Sequence, residues 1–323
     1  MLALLCLLGG GGALVAQRVQ VSGQVLYGPR DRPLANAWVV LHQVRMQGQG
    51  GPTDSTRTGA AGRFTLTIPR VDSAAMYVVS SWYDGIAYFS EPVARGRPAV
   101  TLQPIHVYDT TSTGPRVLVE RRLVTVARPS KDGTRGVLEL VELKNPGPAT
   151  RVTNDTAKPN WVGALPHGVI QFEVGQGDLS GDVAGQRGDS VIVVGPIPPG
   201  DPKQLTYSYT LPGTTAQVTI SIDQPTAELD LLLEDTATAV AGPGLEPGGV
   251  QVIEQRRFAT YRGRGLAPPT SVELVFPRGS LRAQALVPYV VALVALALAG
   301  GLAVALRRKP AAVGPRPSGR RKR

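Results

Sequence analysis

Between Val287 and Leu306 the chain runs for twenty residues without a charge, and this stretch limits what its C-terminal part can become. At 1.5 Å per helical residue it reaches about 30 Å, the thickness of a bilayer's hydrocarbon core. A helix packed on a globular core would carry a polar face, and none can be drawn here. Pro288 falls in the first turn, where a missing N–H costs little. Gly300 and Gly301 are tolerable because the other backbone groups still pair within the helix. The pattern predicts a transmembrane helix over 287–306. Arg307, Arg308 and Lys309 follow at once and serve as a membrane anchor. By the positive-inside rule the tail 307–323 is cytoplasmic and the preceding chain extracytoplasmic.

The formal net charge of +10 invites a nucleic-acid partner. Eight of the 34 Lys and Arg lie beyond Leu306, however, leaving 26 against 24 Asp and Glu. The body is nearly neutral, with no basic face interleaved with stacking aromatics, so nucleic acid is not an expected partner. Residues 1–16 carry Leu4, Leu5, Leu7 and Leu8 and then four glycines, and read as a secretory signal peptide ending near Ala16. No Lys or Arg precedes this region, and Leu14 stands where such signals place a small residue. Leu5 before Cys6 is too bulky for a lipoprotein signal, and cleavage would leave a chain without cysteine. Arg outnumbers Lys 28 to six in an Ala-, Gly- and Pro-rich chain, the usage of a G+C-rich bacterial genome.

One residue in five is Gly or Pro, which disfavours long helices and favours short strands joined by turns. From Val19 to Tyr108 apolar residues alternate with polar ones: Val19, Val21 and Val25, then Trp38–Leu41, then Phe64, Leu66 and Ile68. Met76–Trp82 and Ile86–Phe89 flank Tyr83-Asp84-Gly85, a hairpin signal. Gln47–Gly51 reads as an exposed loop, and about seven strands make residues 17–108 a small antiparallel β-sandwich. Val21-x-Gly23-x-Val25, Pro33-Leu34-Ala35-Asn36-Ala37-Trp38-Val39-x-Leu41, Thr58-x-x-x-Gly62-x-Phe64-x-Leu66 and Tyr77–Gly85 together resemble the carboxypeptidase regulatory-like domain. That family is transthyretin-like, has seven strands, and is similar to Cna-B-type modules. The resemblance covers about a quarter of the chain and implies no catalytic residues, because the zinc site of metallocarboxypeptidases belongs to a separate domain.

Residues 109–115 read as a linker, and 116–278 as a second β-sandwich of nine candidate strands, of unknown family. Within it Glu139, Glu142 and Lys144 interleave with leucines and valines and are expected on a wet face. Tyr207 and Tyr209 share one side of a strand, and residues 279–286 form a tether to the membrane. The expected fold class is all-β: two tandem sandwich modules and one C-terminal transmembrane helix.

Chemistry-bearing motifs are scarce. His42, His106 and His167 stand apart, with no His-Glu-x-x-His, no Gly-x-Ser-x-Gly and no P-loop. Asp178, Ser180 and Asp182 place oxygens at alternate positions, as a calcium loop does. Val183 occupies the position where an EF-hand requires Gly, so a solvated acidic turn is the reading, with a cation site as the alternative. Arg121-Arg122 and Arg256-Arg257 point to opposite faces of their strands and form no patch. Trp38 lies in an apolar run and reads as core. Trp161, in the loop-like Lys158-Pro-Asn-Trp-Val, is the candidate for stacking on a sugar ligand. No cofactor is expected. The chain reads as a non-enzymatic envelope protein that binds protein or polysaccharide through strand edges and loops. Its alternatives are an accessory subunit of a membrane complex, given small Ala299 and Ala303 around Gly300-Gly301, and last an envelope hydrolase.

Overall fold

The computed structural model describes residues 18–45 and 50–277, and every regular element in them is a β-strand. The expected signal peptide, tether, membrane helix and anchor residues lie outside the described residues, as do residues 47–49 of the predicted loop. Among the described residues no helix is long and apolar enough to cross a membrane. The chain divides into two compact units. One holds the residues up to 116 with 145–160 and 196–201. The other holds 117–144, 161–195 and the residues from 202 onward.

In the first unit Val19–Tyr27 pairs antiparallel with Arg63–Ile68 and parallel with Ala99–Thr101 and Ile105–Val107. A second sheet runs in the order Gly51–Arg57, Trp38–Arg45, Ala75–Tyr83, Ile86–Phe89. The period of two turns one face of each sheet inward. Val19, Val21, Val25, Phe64 and Leu66 from one sheet share a core with Val39, Leu41, Tyr77 and Val79 from the other. Burying each such side chain contributes about 1.5–3 kcal/mol. A Cβ on Gly23 would come within 2.5 Å of the Phe64 ring, so the ring occupies the space a side chain there would need. The hairpin at Asp84-Gly85 has φ of 48° and 78°, as a two-residue turn with both centres left-handed requires. Thr110–Thr111 pairs parallel with Thr150–Arg151, whose Arg151 bridges to Ile197.

The second unit is built on a seven-stranded sheet. Its order is Ile170–Val174, Lys203–Leu211, Arg135–Lys144, Leu118–Val126, Thr226–Leu233, Arg256–Leu266, Leu245–Ile253. Two three-stranded sheets accompany it: Trp161–Ala164 with Ser190–Val193 and Ala184–Gln186, and Gln217–Ile222 with Thr270–Val275 and Ala239–Ala241. Along Arg135–Lys144, Val137, Glu139, Val141 and Leu143 are buried, while Leu138, Leu140, Glu142 and Lys144 are partly exposed. Glu139 therefore departs from the expected wet face: it sits fully buried on the core side. Its cross-strand neighbours decide this. The register places Tyr207 directly beside it on one flank and Val124 on the other, and Arg122 reaches its carboxylate.

Candidate functional site

The outward face of the first unit's four-stranded sheet carries exposed apolar side chains on either side of a buried row, Val40 with Ser80. Trp38 and Trp82 stand directly opposite each other across the central pair of strands, 42% and 52% exposed. The next rows are Val40 with Ser80, His42 with Val78, and Val44 with Met76. Phe89, 62% exposed, lies beside Ser80 on the edge strand. Its ring approaches His42 at 6.2 Å, and His42 Nε2 is 2.8 Å from Ser80 Oγ. At the far margin the Arg57 guanidinium lies 5.2 Å over the Trp38 ring and donates to the Asn36 carbonyl. Trp38 is thus not a core residue. The run Trp38–Leu41 is apolar on both faces, and the core takes Val39 and Leu41, leaving Trp38 and Val40 on the outer face, Trp38 exposed and Val40 buried. A run without alternation cannot tell which parity faces in; the Pro33–Ala37 turn and the partner strands do.

Trp161 is placed differently from its expected role. It begins the strand Trp161–Ala164, is 5% exposed, and its indole N–H donates to Gln224 Oε1 at 2.8 Å. Its ring lies over Gly163, where a Cβ would meet it at 2.3 Å, so neither ring face is offered to a ligand. In the predicted acidic turn, Asp178 Oδ2 accepts the Gln204 N–H at 2.9 Å, and the Ser180 carbonyl accepts from Val183 and Ala184. Among the described residues no three His, Cys, Asp or Glu side chains are grouped to hold a metal ion. His167 and Asp189 form an exposed pair at 2.7 Å, whose hydrogen bond raises the imidazole pKa.

The second unit holds the polar groups that sequence reasoning missed. Glu139 accepts from Arg122 Nε at 2.7 Å, Tyr207 Oη at 2.9 Å and Tyr209 Oη at 2.8 Å, and Arg122 also donates to the Ser221 carbonyl at 2.9 Å. Burial, and then the Glu139 charge, push both tyrosines well above their ordinary range. On the other side of the sheet Asp230 is held between Arg121 at 3.0 Å and Arg262 at 2.8 Å. Burial alone would raise this carboxyl, but hydrogen bonds from the two guanidiniums bring it below the usual range. A cavity of about 350 Å³ lies near the start of Leu118–Val126, between Leu118, Val119, Pro225, Ala227 and Leu266. The Lys144–Glu120 ion pair, at 3.1 Å, lies on its wall.

No family model matches the chain, and no curated protein does. Among solved structures it is similar to an M1 zinc metallopeptidase from Deinococcus radiodurans, at 12% identity and a TM-score of 0.33. That likeness covers 54% of this chain and 47% of the peptidase. A 9R-lipoxygenase from Cyanothece PCC8801 is similar at 13% identity and a TM-score of 0.22 over 29% of this chain and 17% of that one. The chain thus spans less than half the length of either.

Proposed function

We propose that this chain is a non-enzymatic, membrane-anchored protein of a bacterial envelope, whose extracytoplasmic β units hold a partner protein. The single observation behind this reading is the open face carrying Trp38, Trp82, Phe89, Met76 and Val44. Exposed apolar side chains of this size on one sheet face mark interaction sites more than they mark ordinary surface. The aliphatic Met76 and Val44 extend the aromatic pair in a way that a protein surface uses and a sugar ring does not. The first unit's resemblance to carboxypeptidase regulatory-like modules supports the same reading, since such modules carry no catalytic residues.

The test is co-purification from native membranes. Full-length protein should bring down a defined partner, and Trp38→Ala combined with Trp82→Ala should lower its recovery at least about tenfold, the scale of an aromatic hot spot. Retention on purified envelope polysaccharide, lost in the same variant, would transfer the site to a sugar ligand. Unchanged recovery in the variant would remove the face from consideration. Exchange of residues 287–306 for a poly-Leu span separates the accessory-subunit alternative, since only a partner held through the helix would then be lost.

A further inference from the structure

The strand Leu245–Ile253 closes one end of the seven-stranded sheet, and among the described residues no strand pairs with its outer side. Seven of its nine residues are exposed and the two at its ends partly so. The opposite edge strand, Ile170–Val174, is blunted by a register shift and by Gln171 at a φ of 53°. The Leu245–Ile253 edge has its own irregularity at Pro247–Gly249, but Gly249–Ile253 pairs regularly with Arg256–Thr260. That segment is Gly-Val-Gln-Val-Ile, without a charge, a lysine or a proline.

The turn sets which backbone groups look outward. Glu254 and Gln255, with φ of 47° and 63°, join Ile253 to Arg256 as a two-residue hairpin. Such a turn makes Ile253–Arg256 a hydrogen-bonded pair, so Gln251–Phe258 is also bonded, while Val250 and Val252 direct N–H and C=O to the free side. The side chains of these two valines lie on the core face. The row Tyr209, Val137, Val126, Leu233, Ala259 crosses the sheet buried throughout and ends on Val250. There the burial stops: Val250 is 50% and Val252 68% exposed.

We infer that this edge pairs with the same edge of a second copy of the chain, antiparallel about a twofold axis at Gln251. The segment is complementary to itself. In that register Val250 of one copy faces Val252 of the other, which brings the outward N–H and C=O groups of both into hydrogen-bonded pairs. Gln251 then faces its symmetry mate in a non-bonded pair, and the four valines meet on one face as a continuation of both cores. No charge on Gly249–Ile253 opposes its like. This inference stands on the edge strand alone and is independent of the Trp38–Trp82 face.

Directly opposite, non-hydrogen-bonded residues bring their Cα atoms to about 4.5 Å, inside the roughly 4.4–6.8 Å that a disulfide spans. In full-length protein carrying Cys6→Ser, Gln251→Cys should therefore give a disulfide-linked dimer on mild oxidation. Glu246→Cys, off the axis, should not. Val252→Lys added to Gln251→Cys should reduce the linked fraction by about tenfold, because two like charges then stand at the junction. Gln251 is exposed, so its replacement leaves folding intact. A Gln251→Cys protein that stays monomeric, equal linkage through Glu246→Cys, or linkage to a different polypeptide would each overturn the assignment.

Discussion

Glu139 is the residue with the largest consequence for the second unit. A carboxylate with no solvent exposure is tolerable only because Arg122 and two tyrosine hydroxyls saturate it, and Arg122 also ties its strand to Gln217–Ile222 through the Ser221 carbonyl. Glu139→Gln leaves the guanidinium buried without its counter-charge. Chemical denaturation should report a loss of about 3–5 kcal/mol, whereas Glu142→Gln, on the partly exposed face, should stay within about 0.5 kcal/mol. Asp230 gives a pH test. Its folded pKa lies below the unfolded one, so its contribution is complete above the ordinary carboxylate value, about 3.9, and is lost as pH falls through the folded value. Asp230→Asn should therefore cost stability at neutral pH and converge on the parent protein in the acid limb of the melting curve. In sequence, Asp230 between Leu229 and Leu231 and Glu139 between Leu138 and Leu140 are equivalent carboxylates among apolar neighbours. Only the partner strands separate them, one against the core and one between two arginines.

At the scale of single strands, periodicity and turn chemistry were legible. The Asp84-Gly85 hairpin and the strands on either side of it follow from an alternating pattern and a residue pair that accepts positive φ. What alternation could not supply was orientation where both faces are apolar. Trp38–Leu41 and Leu138–Leu143 are such runs: Trp38 is expected in the core and stands outside it, and Glu139 is expected on the wet face and lies in the core, while Glu142 and Lys144 are partly exposed as expected. Trp161 misled for a different reason: Pro159 and Asn160 give it a loop's context, yet Gly163 two residues on and Gln224, distant in sequence, build it a buried slot. The exposure of Trp38 and Trp82 makes a further prediction. Trp38→Ala and Trp82→Ala should each change unfolding free energy by less than the roughly 3–5 kcal/mol of a buried aromatic, while altering partner recovery. A loss of full core magnitude would place these rings in packing instead of recognition.

For the whole molecule the outstanding prediction concerns the bilayer. If residues 287–306 span it, alkaline carbonate washing should leave the full chain in the membrane pellet. Added protease should digest the β units of intact spheroplasts while sparing the basic tail. Release into the wash would remove the membrane anchor from the proposed function. Nothing in the sequence around 145–160 marks it as belonging with the first unit, because the pairing of Thr150–Arg151 with Thr110–Thr111 depends on chain brought back from forty residues away.

By itself the sequence determined that the described chain would be all-β and that a turn would fall at Asp84-Gly85, because period-two burial and positive-φ turns are local demands. Which face of each sheet is covered was decided by tertiary structure alone. Covering is a property of two surfaces at once, and the charge that enters a core, like the tryptophan left outside it, depends on what the opposing strand presents.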